Sequence, residues 1–108
     1  MFVSHKTIMK EPVFEVRFKL AKLEDAAIIL KAVVHPTRLA VLDLLDQNKE
    51  MNVTEFVNTL NQSHALISHH LTDMRSKNIL QARRDGQQMY YSIKEKAVLG
   101  LLKCIQKL

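Results

Sequence analysis

The stretch "LNQSHALISHHLTDMRSKNILQARRDGQQMYYSI", residues 60–93, decides how the rest of the chain is read. Asn61-Gln62 reads as a tight turn. Ser63 then stands where a helix N-cap belongs, because its hydroxyl can accept from an orphan backbone N–H. The spacing predicts a helix from there to about Lys77. At about 100° per residue, Leu66, Ile67, Leu71 and Met74 fall on one side, with His70 between them. His64, Ala65, Ser68, His69, Thr72 and Arg75 fall on the other. Further on, Asp85-Gly86 predicts a two-residue hairpin turn, since both positions tolerate positive φ. Leu80 and Ala82 alternate on one arm of that hairpin, and Met89, Tyr91 and Ile93 on the other.

Upstream, "HPTRLAVLDLLDQ" places His35 at an N-cap and Pro36 at the first helical position. Leu39, Leu42 and Leu45 mark the buried side of that helix, and "NKE" ends it. Thr54 is the expected cap of a short third helix, "EFVNTL". Before Pro36, Leu20, Leu23, Ala27, Leu30 and Val34 follow an amphipathic period over about 20–34. In "PVFEVRFKL" Phe14, Val16, Phe18 and Leu20 alternate with charges, so the arm formed by residues 1–19 is either extended or a prolongation of the helix. After the hairpin, Val98, Leu101, Leu102, Ile105 and Leu108 form one seam of a last helix.

The expected fold is mainly α: five helices plus a two-stranded wing. A short helix joined by a tight turn to a longer one is a helix-turn-helix, and the hairpin makes it a winged helix. One such domain over 20–108 fits a chain of 108 residues. A core of this size favours pairing with a second copy.

Composition narrows the partner. The chain is 47% hydrophobic and 25% charged, with two Gly and two Pro, so it is built to fold. Sixteen Lys and Arg against eleven Asp and Glu leave +5, which favours a polyanion. The charge is uneven: residues 35–62 sum to −2 and residues 63–94 to +3. The positive field thus surrounds the quoted helix and hairpin. A single cysteine, Cys104, allows no internal disulfide and suits a reducing compartment. The longest apolar run, Ala26–Leu30, is too short for a bilayer, and "MFVSHKTIMK" has no signal-peptide core. The expectation is a cytoplasmic protein without membrane attachment.

The outer side of the quoted helix is polar, short-chained near its start and ends in a cation. That suits close approach to a DNA major groove, and the helix N-terminus itself attracts phosphate. A solvated face without function is the plain alternative. The neighbouring short helix, the tip Arg83-Arg84-Asp85-Gly86-Gln87 and the local charge favour DNA. Metal ligands on one helix need i, i+4 spacing, whereas His64, His69 and His70 are separated by five, six and one. His70 is expected in the core with its ring nitrogens satisfied locally. Cys104, among Leu101, Leu102 and Ile105, is expected to be an inert buried or interface thiol. No constellation for catalysis is present, so the protein is not read as an enzyme, and no cofactor is expected.

"HPTRLAVLDLL" followed by the quoted stretch resembles the arsenic-repressor (ArsR) family of winged-helix regulators, from about Leu30 to Ile93. The resemblance implies a homodimeric transcriptional regulator, usually a repressor, with Ser68–Leu71 on its recognition helix and pairing through the first and last helices. The family's metal box reads E-L-C-V-C-D. Here Glu50-Met51-Asn52-Val53-Thr54-Glu55 replaces both thiolates. The family's second site begins Asp-x-His, where this chain has Glu95 and Ala97. Neither metal site is expected, and the inducer stays unnamed.

The expected DNA contacts are then Gln62, Ser63, His64, Ala65, Ser68 and His69 at the start of the helix, with Thr72 and Arg75 further along. Arg83, Arg84 and Gln87 reach the backbone or minor groove from the wing, and Arg38 and Lys77 meet phosphates. The expected dimer seam is Leu20, Leu23, Ala27 and Leu30 with Val98, Leu101, Leu102 and Ile105. Two rival readings stand beside this one. One is a winged-helix interaction module without DNA binding. The other is a metal-responsive regulator using a non-family histidine site.

Overall fold

The structure is a computed structural model that describes residues 14–108. Most of the arm, including His5 and Val13, lies outside the described residues. The element order is α1 (Leu20–Val33), α2 (Pro36–Asn48), β1 (Met51–Asn52), α3 (Val53–Leu60), α4 (His64–Ser76), β2 (Leu80–Asp85), β3 (Gln88–Ile93) and α5 (Val98–Ile105).

Local signals set most boundaries. His35 caps α2 through its ring: Nδ1 accepts the Thr37 backbone N–H at 3.0 Å, and Pro36 occupies N1. Asn61, in the left-handed region (φ 54°, ψ 47°), reverses the chain after α3. Ser63 Oγ accepts from Leu66 N–H at 3.1 Å and opens α4. Asn78 (φ 62°) closes α4 in a Schellman arrangement. There Ile79 N–H donates to Met74 C=O and Asn78 N–H to Arg75 C=O. Ile79 and Met74 are both fully buried, which supplies the apolar contact that accompanies this motif.

Three expectations about local structure are corrected. The sheet has three antiparallel strands, in the order β1-β3-β2, rather than two. Met51 pairs with Tyr91 and Asn52 with Tyr90, so the helix-turn-helix is stitched to the wing. The cap of α3 is Asn52, not Thr54: its Oδ1 accepts Glu55 N–H, and Glu55 Oε1 accepts Asn52 N–H, both at 2.9 Å. This reciprocal capping box satisfies two orphan donors at once. In the hairpin Asp85 pairs with Gln88, so the loop residues are Gly86-Gln87. Gly86 at φ 64° occupies the first loop position, where a left-handed backbone favours glycine. Residues 14–19, the described end of the arm, form neither strand nor helix and bend at Arg17-Phe18, while Lys19 has an extended backbone (φ −66°, ψ 148°).

The core lies between the helices and one face of the sheet. Val41, Leu42 and Leu45 of α2, Phe56 of α3, Ile67, Leu71 and Met74 of α4, and Leu80, Tyr91 and Ile93 of the sheet pack together. Each fully buried apolar side chain stabilises by about 1.5–3 kcal/mol, so α4 is held chiefly by three such anchors. Helix α1 differs. Only Ala32 and Val33 are buried, while Leu20, Leu23, Ile28 and Leu30 face solvent.

Candidate nucleic-acid interface

Helix α4 presents two unlike sides. Ile67, Leu71 and Met74 are fully buried and His70 nearly so. His64, Ala65, His69, Thr72 and Arg75 are exposed and Ser68 half-exposed. Leu66 corrects the sequence reading: it stands at the rim, 43% exposed, because it sits about 100° from Ile67 around the axis. On the outer side His64 Nδ1 lies 3.3 Å from Ser68 Oγ, a helix-spaced contact that places two hydrogen-bonding groups side by side. The Arg75 side chain has no hydrogen bond or ion pair among the described residues.

The inner side is fixed by a polar strut. Arg38 of α2 donates from Nε to His70 Nδ1 at 2.8 Å and from Nη1 to Asp73 Oδ2 at 2.6 Å. Nη1 also donates to the Ala32 carbonyl at 2.8 Å. The Arg38 side chain is only 11% exposed. Its guanidinium therefore ties α1, α2 and α4 together rather than standing free for a phosphate. Asp73 also takes Lys77 Nζ at 2.9 Å on each oxygen, so Lys77 is paired within the chain, though exposed. Lys77 and Arg38 together hold the Asp73 carboxyl below its usual range.

His70 departs from expectation in one respect. Because Arg38 always donates, Nδ1 must be the acceptor and Nε2 carries the proton. That Nε2 is buried and has no partner among the described residues. Burial first, then the adjacent Arg38 charge and the His35 and His69 rings, push its pKa down, and Asp73 opposes them. The ring packs between neighbours, 4.6 Å from His35 and 5.8 Å from His69, centre to centre.

Gln62 bridges the turn to α2: Nε2 donates to the nearly buried Thr37 Oγ1 at 2.9 Å. Ser63 is spent on the cap. On the wing, Arg83 donates to Glu50 at 3.0 and 2.5 Å and lies 4.8 Å over the Tyr90 ring. Those hydrogen bonds lower the Glu50 pKa. Arg84 and Gln87 are exposed. Thus Arg75 and Arg84 are open cations, whereas Lys77 and Arg83 carry internal partners. Glu50 was not singled out in the sequence. Only the β1–β3 pairing brings it to the wing.

The positions of the resembled metal box serve the fold instead. Glu50 pairs with Arg83, and Asn52 and Glu55 build the capping box. Among the described residues no group of three or more His, Cys, Asp or Glu side chains is placed to hold a metal. No helix among them is long and apolar enough to cross a membrane.

Of the expected dimer seam, Leu20, Leu23, Leu30 and Ile105 are 71, 39, 47 and 37% exposed. Ala27 is exposed, and Leu101 and Leu102 are half-buried. Val98, only 2% exposed, belongs to the protomer core and corrects its place in that seam. Cys104 is exposed in the protomer, so its thiol is not buried there.

Residues 35–82 match the family described as "bacterial regulatory protein, arsR family". The transcriptional repressor PagR of Bacillus anthracis is 34% identical over 105 residues, covering 97% of this chain and 94% of PagR. The crystal structure of PagR superposes with a TM-score of 0.73 at 37% identity, over 81% of this chain and 99% of that one. A homodimeric winged helix-turn-helix DNA-binding domain from Mycobacterium bovis, described as a possible ArsR-family regulator, matches with a TM-score of 0.68 at 29% identity. That match covers 88% of this chain and 87% of the other.

Proposed function

The chain belongs to the arsR family of bacterial regulatory proteins, and we infer that it acts as a homodimeric, DNA-binding transcriptional repressor. The observation that carries the residue-level reading is the division of α4. Its outer face, His64 to Arg75, is open and polar, while Ile67, Leu71 and Met74 anchor its back. A two-fold dimer presents two such faces to successive major grooves, about 34 Å apart.

In this reading His64, Ala65, Ser68 and His69 meet base edges, and Thr72 borders them. Arg75 and Arg84 supply phosphate contacts, Arg83 and Gln87 extend the wing along the backbone or minor groove, and Lys77 adds charge at the far end of α4. Ser63 and Gln62 act mainly by setting the angle at which α4 enters. Arg38 acts from behind, as a positioning residue, through His70 and Asp73. A winged-helix unit over 20–108 would carry both DNA binding and dimerisation, and work on DNA puts it in the cytoplasm.

Selection of bound duplexes from a random pool tests this directly. The expected result is an enriched site with two-fold symmetry and half-sites about one helical turn apart. Recovery of no enriched sequence, or of one without symmetry, contradicts it.

A further inference from the structure

Two features of the surface have no role in DNA contact. One is an open groove between α2 and α5, with a volume of about 580 Å³. Its apolar lining includes half-buried Leu39, Leu99 and Leu102 and the more exposed Ile105, and Leu102 and Ile105 also stand in the expected dimer seam. Its rim carries two carboxylates from α2, Asp43 and Asp46, and one cation from α5, Lys103. The other feature is the segment 14–19, "FEVRFK". Phe14, Val16 and Phe18 are 88, 76 and 47% exposed, although burial of such side chains is favourable. Arg17 and Lys22 lie 5.4 and 5.8 Å over the Phe18 ring.

The two features are complementary. Once the bend at Arg17-Phe18 straightens, three apolar side chains at every second position fall on one side and can meet the apolar lining together. The charges match with opposite sign: Glu15, Arg17 and Lys19 on the segment, against Lys103, Asp43 and Asp46 on the rim. Arg and Lys stems are long enough to reach sideways to a rim while the apolar side chains point inward. The single chain leaves both unfilled. The segment leaves α1 at Leu20, while the chain enters α2 from the opposite end of α1, about 21 Å away along a 14-residue helix.

We propose that residues 14–19 of one protomer dock in the α2–α5 groove of its partner, with Phe14, Val16 and Phe18 inside and Arg17 and Lys19 on Asp43 and Asp46. The proposal rests on the homodimer of the preceding section. The segment then clasps the partner at α2, the helix whose Arg38 positions the recognition helix, so the clasp joins dimer formation to the DNA-reading face.

Complementary charge reversal tests it on the full-length chain. One variant carries Asp43→Lys and Asp46→Lys; the other carries Arg17→Asp and Lys19→Asp. Each alone places like charges at both seats, and sedimentation at low salt is expected to find its dimer about tenfold weaker than wild type. In an equimolar mixture every segment faces a groove of opposite charge only when docking is in trans, so the mixed dimer is expected to recover wild-type affinity. Failure to recover on mixing overturns the proposal, as does wild-type dimerisation by either variant alone. A wild-type chain that sediments as a monomer overturns the homodimer as well. A dimer that binds DNA but is insensitive to these substitutions overturns only the clasp.

Discussion

Arg38 Nε lies 2.8 Å from His70 Nδ1, and this contact joins the first turn of α2 to the inner face of α4. The same guanidinium reaches Asp73 one turn further along α4 and the Ala32 carbonyl in the last turn of α1. A basic residue that reads from sequence as a phosphate contact is therefore a strut. Arg38→Ala strands Asp73, His70 and a main-chain carbonyl. Charged hydrogen bonds of this kind contribute about 1.5–3 kcal/mol each, with partial compensation by Lys77 and water. The expected loss is roughly 2–3 kcal/mol in urea unfolding. DNA affinity should fall with it, with little change in the salt slope, since no phosphate contact is removed.

His70 makes stability depend on pH. Its folded pKa lies below the ordinary value of about 6.5. The unfolded chain therefore takes up a proton first as pH falls. Stability from the neutral, buried ring is complete above about 6.5 and is lost as pH drops through the lower folded value. Burial sets this chiefly, aided by Arg38 on α2, His35 at its cap and His69 on α4, and opposed by Asp73 on α4. Urea midpoints should fall from pH 7.5 to pH 5.5 by more in wild type than in His70→Asn. Equal slopes would contradict the assignment.

The capping box at α3 is testable by itself. Asn52→Ala removes the acceptor for Glu55 N–H and should cost about 1 kcal/mol. Thr54→Ala, at the residue sequence favoured for that cap, should change the unfolding midpoint little.

Glu50 pairs with Arg83 and adds a negative charge beside the wing. Glu50→Gln should therefore tighten binding to every duplex, by up to a few-fold at low salt, and steepen log K against log salt by less than about one unit. Arg84→Ala, which removes an open cation from each protomer, should weaken binding to all duplexes and lower that slope by about two per dimer. Anisotropy titrations across a salt series measure both.

What was legible in the sequence was local. His35-Pro36 and Ser63 announce their caps within three residues, and the hairpin shows in its alternating side chains. What was missed depends on distant partners. Met51–Asn52 is two residues long, and it becomes a strand only because Tyr90 and Tyr91 pair with it some forty residues on. The Arg38 strut needs His70 and Asp73, more than thirty residues away, and Glu50 reaches Arg83 over a similar span. One miss had a readable signal: Glu55 stands three residues after Asn52, the capping-box spacing, and that favours Asn52 over Thr54. The outer face of α4 was legible because helical period alone separates it from Ile67, Leu71 and Met74, and only Leu66, at the border, fell on the wrong side.

The central claim is that the His64–Arg75 face of α4 enters the DNA groove. Ser68→Glu places a carboxylate at the middle of that face without touching the core. On the selected duplex, affinity is expected to fall at least a hundredfold while sedimentation and the unfolding midpoint stay as in wild type. Wild-type affinity and sequence preference in a folded, dimeric Ser68→Glu protein would contradict it.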